Sequence, residues 1–147
     1  MLNSDYKDML SSLLKNRVKF LLVDAYAMAT YGCIRATGDL DIWVEASIKN
    51  SERIAKALSE FGALSNIYDV KTFSKEGIIL QIGVEPCRID IITGIDGVNF
   101  KEAYKQRKKV EIDGIKINII SKKDLITNKL STGRDKDRLD AKRLQKK

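Results

Sequence analysis

Phe20-Leu21-Leu22-Val23-Asp24-Ala25-Tyr26-Ala27-Met28-Ala29-Thr30-Tyr31-Gly32-Cys33-Ile34-Arg35-Ala36-Thr37-Gly38-Asp39-Leu40-Asp41-Ile42-Trp43-Val44 runs from one β-forming segment through an Ala-rich one into a second. The apolar run Val18 to Val23 predicts a strand. The Ala-rich segment after it predicts a short helix, with Gly32 as the residue that closes it. Leu40, Ile42 and Val44 alternate with Asp39, Asp41 and Trp43, so the second strand carries two carboxylates on one face. Two carboxylates side by side repel and are costly unless something positive neutralises them. A hard divalent cation such as Mg²⁺ does so well, because it prefers carboxylate oxygens.

A second acidic strand follows in Arg88-Ile89-Asp90-Ile91-Ile92. Asp90 sits at the centre of an apolar run and offers a third carboxylate from a neighbouring strand. Three carboxylates from two strands can hold metal ions and a triphosphate for in-line phosphoryl transfer. The bland alternative for a D-x-D pair is a solvated strand end. An acid between Ile89 and Ile91 is harder to read that way. Arg88 alternates with Asp90 on the same strand face, where it can neutralise that carboxylate.

Taken in order, these segments resemble the polymerase β-like nucleotidyltransferase superfamily, and within it small bacterial proteins of the MNT and AbiEii type. The resemblance rests on Gly32-Cys33-Ile34-Arg35-Ala36-Thr37-Gly38-Asp39-Leu40-Asp41-Ile42-Trp43, on Gln81-Ile82-Gly83-Val84-Glu85-Pro86-Cys87-Arg88-Ile89-Asp90 and on the stretch Asp124 to Asp140. It covers nearly the whole chain. It implies the minimal nucleotidyltransferase fold, α/β (α+β), with a mixed β-sheet, helices packed against it and a C-terminal helix pair. It also implies Mg²⁺ (or Mn²⁺) at Asp39, Asp41 and Asp90, and transfer of a nucleoside monophosphate from an NTP to a hydroxyl acceptor on a protein, an RNA or a small molecule. Proteins of this type often pair with a toxin protein. An antitoxin-like partner of a toxin–antitoxin pair is therefore one alternative, and a degenerate domain that binds nucleotide or RNA without catalysis is another.

One departure from the resembling pattern concerns Asp24. Glycine usually occupies the strand-to-helix turn, where backbone N–H groups approach the nucleotide phosphates. Here the turn reads Val23-Asp24-Ala25. Asp24 can act as a helix N-cap, its charge suiting the positive end of the helix dipole. It can equally occupy the phosphate position and oppose a triphosphate. Asp24 and Ala25 at the turn, Arg35 and Thr37 in the loop before the acidic strand, and Lys129 and Arg134 in the C-terminal helices are the candidate nucleotide contacts. For Arg134, pairing with Asp137 three residues on is the competing structural role. Lys129 belongs to the same polar group, and Arg35 can also pair with Asp39. Gln81 reads as a core polar residue or a base contact, and Trp43 as packing or pocket lining.

Composition narrows the chemistry. The chain of 147 residues suits one domain and is too short for two ordinary ones. It has no histidine, so His metal sites, triads and His general bases are excluded. Two cysteines, Cys33 and Cys87, lack zinc-ligand spacing, and both read as small, partly buried thiols in a reducing compartment. No apolar run reaches the roughly 18 residues of a membrane span, and the polar N-terminal segment does not read as a signal peptide. A cytoplasmic protein without membrane contact is the expectation. The net charge of +7 suits phosphate-rich partners, although most of the lysines read as a solvated surface. The aromatics are too scattered for a base-stacking platform.

The remaining elements follow from periodicity. Asp5 to Lys15 predicts an amphipathic helix behind Ser4, and Ser51 to Phe61 predicts a second that Gly62 ends. Residues Asn66 to Gly77 read as a loop with a short strand or turn. Gly77 to Gly83 and Cys87 to Thr93 predict strands joined around Pro86. Val110 to Ile112 and Ile115 to Ile119 predict a hairpin across Asp113-Gly114. Ser121 with Asp124 opens a helix to about Ser131, and another runs from about Arg134 to Gln145.

Overall fold

In the computed structural model, which describes residues 2–34, 38–84 and 87–147, the elements run α1 (Ser4–Lys15), β1 (Phe20–Val23), α2 (Asp24–Thr30), β2 (Leu40–Val44), α3 (Ile48–Phe61), β3 (Ile79–Ile82), β4 (Ile89–Ile92), α4 (Phe100–Lys105), β5 (Lys108–Ile112), β6 (Ile115–Ile119), α5 (Lys122–Ser131) and α6 (Asp135–Gln145). The strands form one six-stranded sheet in the order β3-β4-β2-β1-β6-β5. It is mixed: β2 runs parallel to β4 and β1 to β6, and the other neighbouring pairs are antiparallel. The fold is α+β.

The helices follow the apolar spacing. In α1 the buried residues are Tyr6, Met9, Leu10 and Leu13, a single stripe at helical period. The side chain of Asn3, outside the predicted span, caps α1 by accepting from the Tyr6 amide. Helix α3 begins earlier than its sequence suggests, at Ser47, whose hydroxyl accepts from the Asn50 amide. Ser51 is therefore interior to α3 and buried, and its hydroxyl accepts from the Phe73 amide at 2.9 Å. This bond anchors the loop between α3 and β3, so fully buried Phe73 joins the core. Gly62 ends α3 at φ +99°, a conformation that favours glycine.

The sheet places the acids. Alternation along β2 and β4, with Asp41 opposite Asp90 and Trp43 opposite Ile92, puts these four residues on one face. The other face carries Leu40, Ile42, Ile89 and Ile91, all buried. Trp43 is packing: it is 1% exposed and meets Phe100 of α4 edge to face at 5.0 Å. Helix α4, with only six residues, is too short to show a periodicity in the sequence, although Asn99 accepting from the Glu102 amide is a readable cap. The β5–β6 hairpin turns on Asp113 (φ +50°) and Gly114 (φ +81°), the left-handed pair that a two-residue turn favours. Cys33 is fully buried, whereas Cys87 is exposed rather than partly buried as expected. Among the described residues no helix is long and apolar enough to cross a membrane.

Gly97 seats α5 against the segment that follows β4. Its φ is +78°, and a Cβ there would lie 2.0 Å from Ser131 Oγ and 2.6 Å from Ser131 Cβ. Gly97→Ala therefore meets both a strained backbone and an overlap with α5. The expected cost is about 2–4 kcal/mol in urea unfolding. Adding Ser131→Gly should recover the steric share and leave the backbone share. A Gly97→Ala protein as stable as the wild type would mean that α5 does not sit this close.

Candidate functional site

β2 and β4 bring two of the candidate carboxylates together. Asp41 and Asp90 are register partners on adjacent parallel strands, about 4.8 Å apart by strand spacing. Asp41 also faces Val23, the last residue of β1, so it lies beside the turn that carries Asp24. Asp39 precedes β2 and lies near the start of β4: its Oδ1 accepts from the Arg88 amide at 3.2 Å.

The Arg88 guanidinium binds both strands' acids. Its Nε donates to Asp90 Oδ1 at 2.7 Å and its Nη2 to Asp90 Oδ2 at 3.1 Å, a two-pronged contact. Nη2 also lies 3.4 Å from Asp39 Oδ2. Asp41 makes no ion pair among the described residues. Burial, then the charges of Asp24 and Asp90, a hydrogen bond with Asp90 and the charge of Asp39 push its carboxyl up from 3.8 to about 7. A carboxyl with such a raised pKa in a cleft is suited to acid–base chemistry or to meeting a cation.

Tyr6, read from the sequence only as a core residue of α1, holds the two acidic segments together. Its hydroxyl donates to the Gly38 carbonyl and lies 3.2 Å from the Arg88 carbonyl. These are the residues before Asp39 and before β4. Burial, with Tyr26, Cys87, Asp39 and Asp41 nearby, raises the phenol's pKa. Helical spacing gave no sign of this, because a tyrosine on an apolar stripe reads as packing. Tyr6→Phe keeps the ring and removes the bond. The expected loss is about 1 kcal/mol of stability, read from chemical denaturation. No loss would mean that the clasp contributes nothing net.

The turn before α2 departs from the capping expectation. The N-cap is Val23, which makes no side-chain cap bond, and Asp24 is the first helical residue at φ +57°. A non-glycine residue rarely adopts this conformation, although aspartate tolerates it better than most. This left-handed position is the one where the resembling pattern has glycine. The Asp24 carboxylate instead reaches α5 and accepts from Lys129 Nζ at 2.5 Å. Lys129 is 3% exposed and also lies 3.5 Å from Asp137 Oδ1. Asp137 accepts further bonds from the Thr132 hydroxyl and Arg134 Nε at 2.7 and 2.8 Å. Burial works against its charge. The Thr132 hydroxyl, Lys129 and Arg134 outweigh that, and the pKa falls below the ordinary value.

Asp24, Asp41, Lys129, Arg134 and Asp137 line one cleft of about 270 Å³ between the sheet and the α5–α6 pair, with Ile79 and Ile92 as its apolar side, and Asp39, Asp90 and Arg88 are not among its lining residues. Ala25 is buried in α2. Arg35 and Thr37 lie outside the described residues. A larger cleft of about 560 Å³, lined by Glu45, Ser74, Glu76 and Lys101 among others, contains none of the candidate residues. The smaller cleft, where an acid with a raised pKa shares the wall with one buried cation, Lys129, is the chemically organised one.

Oxygen donors alone make up the acidic set, which suits Mg²⁺ or Mn²⁺ in kind. In arrangement, no group of three or more potential ligands among the described residues is disposed to hold a single ion. The Arg88 guanidinium engages both Asp39 and Asp90.

Comparison with known proteins follows the same outline. The chain is similar over 100% of its length to 97% of a crystal structure from Thermotoga maritima described as "a putative nucleotidyltransferase", with TM-score 0.59 and 17% identity. That likeness establishes a shared fold. No curated protein matches the sequence. The profile of the family "Nucleotidyltransferase of unknown function (DUF6036)" matches residues 1–145, and the chain belongs to that nucleotidyltransferase family.

Proposed function

We propose that this protein transfers a nucleoside monophosphate from an NTP to a hydroxyl acceptor, with Asp39, Asp41 and Asp90 as the acids that would meet Mg²⁺ or Mn²⁺ carried in by the triphosphate. The observation that carries the reading is the pairing of Asp41 with Asp90 on adjacent parallel strands, with the Asp41 pKa raised and no ion pair to it among the described residues. A divalent ion there would supply charge neutralisation at the phosphoryl oxygens. In the transfer the acceptor oxygen bonds to the α-phosphorus, the bond to the β-phosphate oxygen breaks, and pyrophosphate leaves. Asp90 orients the hydroxyl and takes its proton. Arg134, exposed at the cleft rim with its Nε on Asp137, would meet phosphate oxygens through its remaining N–H groups. The test is incubation with labelled NTPs, Mg²⁺ or Mn²⁺ and a cell extract. Label on a protein, RNA or small molecule, lost in Asp41→Asn, supports the reading. The same result from wild type and Asp41→Asn would overturn it.

A non-catalytic nucleotide-binding domain is the second reading, and Asp24 is the observation that favours it. Its carboxylate sits at the turn where phosphate would approach and engages Lys129. Asp24→Gly removes that charge and suits the φ of +57°. The variant should bind ATP or GTP with Mg²⁺ about tenfold more tightly, a gain of about 1.4 kcal/mol. The backbone gain should offset part of the lost ion pair, so that stability falls by no more than about 1 kcal/mol. Titration calorimetry beside thermal melts measures both. Unchanged or weaker nucleotide binding by a folded variant would mean that Asp24 is no obstacle.

A further inference from the structure

We propose that the outer row of cations on α6 is a docking surface for the phosphate backbone of a single-stranded nucleic acid, leading away from the rim of the 270 Å³ cleft. Only the placing of the strand's 3′ end at the cleft rests on the transfer reading above. The surface itself requires neither metal nor nucleotide.

Charge is unevenly distributed along the chain. Lys101 to Lys147 holds 16 of the 27 basic residues and 7 of the 20 acidic ones, so the whole positive excess lies there. Helix α6 then sorts its charges by face. Asp137 and Asp140 turn inward and are each 3% exposed. Arg134 at the N-cap, Arg138 and Lys142 within the helix, and Lys146 at the C-cap recur at every fourth position, and all four are exposed. Residues four apart lie on one side of a helix, so they form a single row. The row is about 18 Å long, at about 6 Å a step. Successive phosphates of an extended strand can follow that step. A solvated surface ordinarily mixes both signs, whereas Asp135 is the exposed acid of α6. Its contact with Arg138, at 3.3 Å between two well-exposed side chains, is weak and yields to a phosphate at little cost.

The ends of the row support the same partner. Arg134 lines the cleft, so the row starts where an acceptor hydroxyl would have to enter. At the far end Lys147 packs against Gly32, where a Cβ would lie 3.6 Å from Lys147 Cδ. Beside it, Lys108 of β5 lies 5.3 Å from the ring centre of Tyr31. Cations of α6 and β5 therefore meet past the end of α2. An anionic membrane is the competing polyanion, and an interfacial helix needs an apolar face beside its cations. Among the described residues of α6, Leu139 is the exposed large apolar one, since Ala141 and Leu144 are buried. A nucleic-acid backbone asks only for the charges.

The test is fluorescence anisotropy with a short labelled single-stranded RNA of mixed sequence, and DNA of the same sequence, in EDTA across a series of KCl concentrations. On logarithmic axes each phosphate contact of a single strand contributes a slope of about −0.7, so four contacts give about −3. Arg138→Gln with Lys142→Gln should weaken binding about tenfold and reduce that slope by about 1.4. Arg138→Lys with Lys142→Arg should bind like wild type. Lys49→Gln with Lys56→Gln makes the same change of net charge on exposed positions of α3, which packs against α1, and should leave binding unaltered. Equal losses in the two Gln pairs would mean that net charge alone attracts the strand, and would overturn the proposal. So would tighter, row-dependent binding to phosphatidylserine vesicles than to either oligonucleotide. Should the α6 variants not fold, wild type decides alone: a slope shallower than about −1.4, fewer than two contacts, sinks the row. Oligonucleotide binding that depends on the row, with no transfer in the labelled-NTP assay, would remove the catalytic reading and keep this surface. Transfer without such binding would do the reverse.

Discussion

Asp41→Asn is expected to make the metal-free protein more stable than wild type at pH 8, and to abolish both its thermal response to Mn²⁺ and any nucleotidyl transfer. The stability sign follows from linkage. The Asp41 carboxyl titrates at 3.8 in its ordinary state and at about 7 in the folded protein. Below pH 3.8 both states hold the proton and the shift has no effect. Between 3.8 and 7 the unfolded chain loses the proton first, so stability falls as pH rises. Above 7 the full penalty applies, of order 4 kcal/mol at most. Asparagine cannot ionise, and its amide can donate to Asp90, so part of that penalty disappears. The expected gain is about 2 kcal/mol at pH 8, shrinking toward none at pH 4, read from urea melts across the range. Mn²⁺ should raise the melting temperature of wild type by mass action and leave the variant unmoved. Transfer should fall at least a thousandfold in the variant if Asp41 meets the ion that stabilises the transferring phosphoryl group. A variant no more stable at pH 8 than wild type would mean that Asp41 is better solvated or better paired than its surroundings imply.

Legibility from sequence differed between the site's parts for physical reasons. Asp39, Asp41 and Asp90 could be read because strand alternation is local: their neighbours fix which way they face. The pairing of Asp41 with Asp90 could not, because nothing local sets the register between β2 and β4. The sheet order places β4 beside β2 although α3 and β3 intervene. Arg88 beside Asp90 was readable from alternation, but its reach to Asp39 depends on that same pairing. Asp24 shows the opposite limit. As a residue type it suits a helix start, and local rules favoured a cap. Its backbone instead takes the left-handed turn, and its side chain is drawn 105 positions along the chain to Lys129. The Arg134–Asp137 pair was legible because it lies within one helical turn. The loop before β3 was also legible as a loop, but Phe73 in its core and Ser51 as its anchor required the tertiary fold. Loop order and cap residues thus carried the elements, while contacts between distant segments set the site's charge balance.

Lys129→Met tests which role the buried lysine plays, and its expected effect on stability is the largest of any single change in the cleft. Lys129 Nζ lies between Asp24 and Asp137, 2.5 and 3.5 Å away, with its side chain 4% exposed. Methionine fills nearly the same volume, so packing changes little and the loss is electrostatic. Asp137 keeps Thr132 and Arg134, but it loses a buried cation, and Asp24 loses its only ion-pair partner among the described residues. Removing one partner of a buried pair costs about 3–5 kcal/mol. The partial exposure of Asp24 puts the expectation near 3 kcal/mol, or about 10 °C in melting temperature. Asp137 adds a pH signature. Its pKa is lowered in the folded state, so the stability it contributes is present above the ordinary carboxylate pKa and is lost as pH falls through the folded value. Without Lys129 that acid-range loss should be smaller. Asp24→Gly in the Lys129→Met background should then cost less than in wild type, or should stabilise, because it removes a carboxylate that no longer has its cation. A coupling of at least 1 kcal/mol between the two changes, measured by a double-mutant cycle, would mark Lys129 as the structural partner of Asp24. Additive effects, together with a loss of nucleotide affinity in Lys129→Met larger than its stability loss explains, would instead give the lysine to the phosphates.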